Sequence, residues 1–295
     1  MSMPSDPSCP PSAAPVLSAA DRGRLAAALE AAQAAGAILR HHFRRADLDV
    51  ERKADASPVT VADREAERAI RRVLGDHDPS IGVLGEEFGA AGGEARRWVV
   101  DPLDGTKNFV AGLPYFATLI GLEEDGRRTL GVIHAPALPD DRYGDADPAR
   151  RGRTWWAVRG AGAWSGAAVD VDGPWRRIRA ASVERLDQAF LGYGGLVHVQ
   201  RAGLWSAFST LLPRLGRTRG FGDWWGHVLV AEGHCHAMLE GAVAFHDVAA
   251  VEVVVEEAGA VMARWRDAPL APGMGDPLLT AVPALMPDLK DALGW

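Results

Sequence analysis

Apolar positions along this chain switch between two periods, and the switches mark its elements. Leu25 to Phe43, LAAALEAAQAAGAILRHHF, carries apolar residues at helical spacing behind Ser18-Ala19-Ala20-Asp21, which can cap a helix. VADREAERAIRRVL, from Val61, predicts a second, amphipathic helix ending at Gly75, and DASPVT before it reads as extended or turn-like around Pro58. SIGVLGEEFGAAGGE reads as a strand entering a Gly-rich loop. FATLIGL (116–122) and TLGVIH (129–134) are strands joined by an Asp-Gly hairpin turn, and TWWAVRG with GAWSG predicts another hairpin.

The polar stretch between those hairpins, APALPDDRYGDADPARRGR, reads as a loop or insertion. Residues 173–240 alternate short helical and strand-like pieces. Among them DWWGHVLVAEG is a short helix stopped by Gly233, and CHAMLEG is a strand. DVAAVEVVVEEAGA is a buried helix with Asp247 in its first turn and Gly259 at its end. The sum is a mixed α/β or α+β chain with stacked helical and sheet layers.

Composition narrows the function classes. With 47% hydrophobic and 24% charged residues, global disorder is excluded. The net charge of −7, with no basic block beyond short pairs such as Arg44-Arg45, argues against nucleic acid or an anionic membrane as partner. No run of about 18 apolar residues predicts a membrane helix. Residues 1–16 lack a basic segment and an apolar core, so they read as a disordered leader rather than a signal peptide. Of the two cysteines, Cys9 lies in that Pro/Ser-rich leader and Cys235 far from it in sequence, which fits a reducing cytoplasm without a structural disulfide.

The chemistry concentrates in VVDPLDGTKNFVAG, residues 99–112. Pro102 fixes the backbone between two carboxylates, so Asp101 and Asp104 can converge on one point. Hard oxygen ligands at that spacing suit Mg²⁺, which takes carboxylates together with water and a substrate phosphate. Gly105 and Thr106 follow where a helix or turn begins, and their backbone N–H groups can bind a phosphate oxygen. Glu86 in GEE, Asp63 in TVAD and Asp247 in HDVAA are further carboxylates at predicted element ends. Each has a plainer reading taken singly: a turn with a helix cap for Asp101-Pro-Leu-Asp, an N-cap for Asp247, a solvated helix charge for Asp63, surface acids for Glu86 and Glu87. The set of them favours the metal reading.

DPLDGTKNF resembles the signature of the inositol monophosphatase-like, magnesium-dependent phosphatases. GEE upstream and HDVAAVEVVVEEAGA downstream match that family's other motifs in order and rough spacing, over roughly residues 20–265. The resemblance implies a layered αβαβα sandwich, like that of inositol monophosphatase and fructose-1,6-bisphosphatase, with residues 17–295 as one domain. Its sub-domains would divide near residue 170. It also implies a homodimer that hydrolyses a small phosphate monoester with two or three Mg²⁺ ions. By position, Glu86, Asp101, the Leu103 carbonyl, Asp104 and Asp247 would bind metal. Asp63 would help hold a weaker third ion, and Thr106 with Glu86 would orient the attacking water.

Within the family, GDWWGHVLVAEG, GVIHAPAL and TWWAVRGAGAW resemble the histidinol-phosphate phosphatases. Such a substrate carries an ammonium group that Asp223 or Glu240 could pair with. A helix N-cap is the alternative for Asp223, and a strand-end charge for Glu240. Trp224 or Trp225 could stack on an imidazole or base ring, although core or dimer packing of the paired tryptophans is the plainer reading. Inositol, sugar or nucleoside phosphates and 3′-phosphoadenosine phosphate are alternative substrates, and a non-catalytic phosphate binder is the alternative class. The sequence departs from the family at His246, where a Trp is usual, at His236, where an aspartate is common, at EEAGA, and in a 139–152 insertion. Both histidines are expected to border the pocket.

Overall fold

The computed structural model describes residues 15–45, 50–52, 58–138, 152–167, 170–265 and 275–295. The expected leader, apart from residues 15–16, and the insertion up to residue 151 lie outside the described residues. Ser18 caps α1 (Ala19–His42), its hydroxyl accepting from the Asp21 N–H at 3.1 Å. After β1 (Val50–Arg52) and β2 (Pro58–Thr60), α2 runs Val61–His77. It passes straight through Gly75, where the sequence pattern ended it. A glycine inside a helix costs only about 1 kcal/mol. The stop comes from Asp78, which the following Pro79 holds in extended backbone (φ −152°, ψ 95°).

The first sheet contains β3 (Gly82–Gly85), β4 (Gly89–Ala91), β5 (Arg96–Asp104), β6 (Ala117–Glu124), β7 (Arg127–Ala135), β8 (Arg153–Val158), β9 (Gly162–Gly166) and β10 (Arg176–Ile178), with α3 (Thr106–Val110) between β5 and β6. Their spatial order is β10-β9-β8-β7-β6-β5-β3-β4, and only the β3–β5 pair is parallel. The Asp-Gly turn forms as expected: Asp125 (φ 48°) and Gly126 (φ 77°) both take the left-handed conformation of a two-residue hairpin. The Gly-rich loop after β3 instead folds back as β4.

The second sheet has the order β12-β11-β13-β15-β14. Its strands are β11 (Phe190–Tyr193), β12 (Arg217–Gly220), β13 (Ala237–Glu240), β14 (Val261–Arg264) and β15 (Leu278–Ala281). The accompanying helices are α4 (Leu196–Arg201), α5 (Trp205–Leu211), α6 (Asp223–Ala231), α7 (Phe245–Glu257) and α8 (Met286–Leu293). Helices α1 and α2 cover one face of the first sheet, and α6 and α7 fill the space between the sheets. Helices α4, α5 and α8 close the far face of the second sheet. This is the five-layer αβαβα sandwich.

Strand alternation divides the tryptophans between cores. Trp156 stacks on Trp164 under α1 and α2, whereas its neighbour Trp155 points the other way, onto Trp224 of α6. Helix α7 lies with its backbone against the first sheet. Gly121 and Gly131 pair directly across β6 and β7, and a Cβ on them would lie 2.9 Å from the Ala249 carbonyl carbon and 2.2 Å from the Ala250 oxygen. This paired-glycine groove fixes the depth at which α7 lies.

Candidate active site

The site begins in a defect of β5. Residues three apart on a regular strand face opposite sides of the sheet. Here Asp101 pairs with Leu119 while Asp104 pairs with Ala117, so three steps on β5 match two on β6. The extra residue turns both aspartates to the same face. Pro102 donates no ladder hydrogen bond, and its carbonyl accepts from the Thr118 hydroxyl at 3.0 Å. Asp101 Oδ1 accepts from the Leu103 N–H at 2.9 Å, which fixes its carboxylate. Gly105 then takes a left-handed φ of 86°, where a Cβ would lie only 2.8 Å from the Tyr115 carbonyl oxygen, and α3 starts at Thr106. The first-turn N–H groups there have no acceptor within the helix.

Two helices each deliver an acid from the third position of the first turn. Asp63 of α2 is buried. Its Oδ2 accepts from both the N–H and the hydroxyl of Thr60 at 2.7 Å, and its Oδ1 lies 3.4 Å from the Thr106 hydroxyl. Asp247 of α7 accepts from the Ala244 N–H at 2.7 Å with Oδ2, and its Oδ1 lies 3.2 Å from His246 Nε2. Both acids therefore cap their helices with one oxygen and turn the other to a second contact, Asp63 to the Thr106 hydroxyl and Asp247 to His246. The alternatives of cap and site residue are not exclusive.

Glu86 follows β3, its N–H donating to the Val100 carbonyl at 3.1 Å, so it rides beside Asp101. Its turn is held by Glu67, a fully buried acid on α2. Glu67 accepts from the Glu87 N–H at 2.7 Å and the Phe88 N–H at 3.3 Å, and pairs with Arg71 at 2.7 Å. Sequence reasoning passed over Glu67. The signal was its position four residues after Asp63, a charge on the apolar Ala62, Ala66, Ile70 face of an amphipathic helix.

Ligand oxygens of Asp101, Asp104 and Asp247 lie within 4.8 Å of one another, as do ligand atoms of Glu86, Asp101 and His246. Burial pushes the Asp101 carboxyl well above the usual carboxylate range, reinforced by the charges of Glu86, Asp104 and Asp247. Burial likewise raises Asp104, with the charges of Asp223 and Asp247 adding to it. Among the described residues no Lys or Arg pairs with Asp101 or Asp104. Converging carboxylates with raised proton affinity fit a divalent cation, which replaces the missing countercharge.

Beside this centre, Asp223 opens α6 with a positive φ of 59°. The cap position belongs to Gly222, and Asp223 instead accepts from the Asn108 side chain at 3.0 Å. Its N–H donates to Glu240 Oε1 at 2.9 Å, and the next N–H, of Trp224, donates to Asp104 Oδ2 at 2.9 Å. Glu240 is buried. Desolvation, together with the Asp223 charge, pushes its carboxyl up to about 8. Gly194 makes room for it, since a Cβ there would stand 1.9 Å from Glu240 Oε2. Partly buried Trp225 leans on exposed Tyr115, with ring centres 6.0 Å apart, whereas Trp224 is core.

One expectation is corrected. His236 does not border this site. It sits at the opposite end of β13 from Glu240, about 13 Å away along the strand. There its Nδ1 accepts from the Phe190 N–H at 2.8 Å, a tie to β11. His246 does reach the centre.

A family model described as the inositol monophosphatase family matches residues 21–292. The histidinol-phosphatase of Mycobacterium tuberculosis is 42% identical over 233 residues, covering 79% of this chain and 84% of that protein. That of Streptomyces coelicolor is 40% identical over 232 residues, covering 77% and 81%. Among solved structures, an inositol monophosphatase from Zymomonas mobilis superposes with a TM-score of 0.75 at 32% identity, covering 95% of this chain and 100% of that one.

Proposed function

The chain belongs to the inositol monophosphatase family, and on that premise we propose that it hydrolyses L-histidinol phosphate to L-histidinol with Mg²⁺, as a cytoplasmic homodimer. That it is a phosphoric monoester hydrolase follows from the family match and the relatives' phosphatase activity. The observation carrying the substrate is the acid pair Asp223–Glu240, set against the carboxylate centre through Trp224 N–H and Asp104. Two acids there suit a substrate with an ammonium group close to its phosphate ester.

In this reading Glu86, Asp101, the Leu103 carbonyl, Asp104 and Asp247 hold two ions, with Asp63 toward a third. Bound divalent ions supply Lewis acidity: they lower the pKa of water and neutralise charge on the phosphoryl group. The chain's residues do the positioning. The Thr106 hydroxyl has one proton, and the Leu103 carbonyl at 3.0 Å and Asp63 at 3.4 Å are its acceptors. Its lone pairs are then left to accept from the attacking water, which Glu86 holds from the other side. Asp63 keeps the hydroxyl oriented because Thr60 pins its other oxygen. The Gly105 and Thr106 N–H groups take phosphate oxygens. Asp223 and Glu240 hold the ammonium, and Trp225 supplies a face for the imidazole. Direct attack by water needs no covalent nucleophile.

The test is phosphate release with Mg²⁺ from L-histidinol phosphate, myo-inositol 1-phosphate, a nucleoside 5′-monophosphate and 3′-phosphoadenosine phosphate. A kcat/KM at least tenfold higher for L-histidinol phosphate is expected. Equal or faster hydrolysis of another ester overturns the substrate assignment.

Two smaller effects follow from the site. Glu240 is raised, so it is protonated below about pH 8 and gains its charge as pH rises through that value. The KM for L-histidinol phosphate, taken relative to inositol phosphate, should fall from pH 6 to 8. Glu240→Gln should flatten that trend and raise KM about tenfold, the loss of one charge-assisted hydrogen bond. A trend that survives the substitution removes Glu240 from ammonium binding. Glu67→Gln keeps an acceptor for the Glu87 N–H but loses the charge facing Arg71. We expect about tenfold weaker Mg²⁺ binding through the loosened Glu86 turn, read by calorimetry. Unchanged affinity means that the turn holds without Glu67.

A further inference from the structure

We propose that His246 is a metal ligand and that it makes one half of the centre selective for a borderline transition ion, of the Zn²⁺ or Co²⁺ class, over Mg²⁺. The inference rests on the metal-phosphatase reading above and adds to it a nitrogen donor that the four carboxylates do not supply.

The geometry divides the centre into two triads that share Asp101. One is all oxygen: Asp101, Asp104 and Asp247. The other is Glu86, Asp101 and His246, again with ligand atoms within 4.8 Å of one another. His246 Nε2 stands 3.2 Å from Asp247 Oδ1 and 3.7 Å from Glu86 Oε2. Donors bound at about 2.1 Å to one ion sit about 3 to 4 Å from each other, so the separation from Glu86 suits two ligands of one ion, while Asp247 stands beside it in the other triad. The position is fixed by the fold. His246 is the second residue of α7, the helix seated in the paired-glycine groove, and Asp247 beside it is pinned as a cap by the Ala244 N–H.

The donor chemistry separates the two halves. Mg²⁺ prefers oxygen donors, and the Asp101, Asp104, Asp247 triad offers oxygen alone. Imidazole adds affinity for Zn²⁺, Co²⁺ and their neighbours and contributes little to Mg²⁺. A neutral imidazole with two carboxylates also balances a divalent ion without excess charge. His246 can instead act as a protonated countercharge to Glu86 and Asp247, a role that excludes metal ligation and gives a different spectroscopic result.

The experiment is a Co²⁺ titration of the full chain at saturating Mg²⁺, followed by visible absorption and by proton NMR for the far-shifted imidazole N–H resonance of a Co²⁺-bound histidine. We expect about one equivalent of Co²⁺ to bind beside Mg²⁺ and the shifted resonance to appear. His246→Gln should remove the resonance and weaken Co²⁺ binding at least tenfold, with Mg²⁺ affinity changed less than twofold. His246→Trp, a bulkier replacement without a ligand atom, should give the same result, which guards against a folding defect in either variant. Absence of the resonance in the unsubstituted protein, its persistence in both variants, or unchanged Co²⁺ affinity overturns the proposal. If neither Mg²⁺ nor Co²⁺ binds or shifts the thermal midpoint, the metal-phosphatase reading itself fails along with it.

Discussion

Asp101→Asn is expected to abolish catalysis while making the ion-free protein more stable. Asp101 is shared by both triads, so on the proposed reading its loss would disturb both of the ions they would hold. An ion contributes several kcal/mol to the transition state of phosphoryl transfer, and about 4 kcal/mol is about a thousandfold in rate. The stability change has the opposite sign. The folded protein holds the Asp101 carboxyl in a buried site beside Glu86, Asp104 and Asp247, which raises its proton affinity above that in the unfolded chain. A group raised in this way is harmless at pH below its unfolded value. It costs folding free energy increasingly as pH rises from there toward its folded value. Asparagine removes that cost and keeps an oxygen for the Leu103 N–H. Thermal melts in EDTA should therefore show a higher midpoint for Asp101→Asn at pH 8, with the gain shrinking toward pH 4. Activity within tenfold of the parent removes Asp101 from the ligand set. A lower midpoint in EDTA at pH 8 means that the carboxylates do not repel as argued. The pairing of a dead enzyme with a firmer fold is expected wherever a site stores like charge for a metal.

Gly131→Ala is expected to damage the site from a distance. The added methyl would meet the Ala250 carbonyl at 2.2 Å, backbone against strand, with no side chain able to yield. Helix α7 must lift from the sheet, and Asp247 lies one turn ahead of the contact. A penalty of about 3 kcal/mol, the upper end of overpacking costs, is expected in chemical denaturation, together with at least tenfold weaker Mg²⁺ binding. The matched control is Gly75→Ala. Nothing lies within 4 Å of a Cβ at Gly75 in the last turn of α2, so that change should be neutral or stabilising by up to about 1 kcal/mol. A Gly131→Ala protein as stable as the parent shows that α7 is not seated by the glycine pair. Lost stability with intact Mg²⁺ affinity shows that the helix can move without carrying Asp247 out of the centre.

Much of the chemistry was legible along the chain. Asp101, Asp104, Gly105 and Thr106 lie in one segment, and short-range stereochemistry determines what such a segment can do. Pro102 forbids regular pairing, glycine allows the left-handed turn, and carboxylates three apart around them have few structural uses. Helices α1, α2 and α7 and the Asp-Gly hairpin were also readable, because amphipathic periods, caps and turn residues are local properties. Resemblance over the three motifs added the layer order, which periodicity alone does not give.

The tertiary structure decided what depends on partners remote in sequence. The bulge that turns Asp101 and Asp104 to one face is a property of β5 against β6, and exists only once the register is set. Glu67 becomes a support for Glu86 because α2 packs over the β3 turn, twenty residues away along the chain. The two histidines that depart from the family pattern looked alike in sequence. The parallel pairing of β11 and β13 sends His236 to one end of the second sheet, whereas the seating of α7 carries His246 into the carboxylates. Residue type and spacing thus determined which atoms could bind a cation and a phosphate. Only the packing of α7 into the Gly121–Gly131 groove and the bulge in β5 brought those atoms to one point, because convergence of charges is a long-range property that costs energy locally and is imposed by the core.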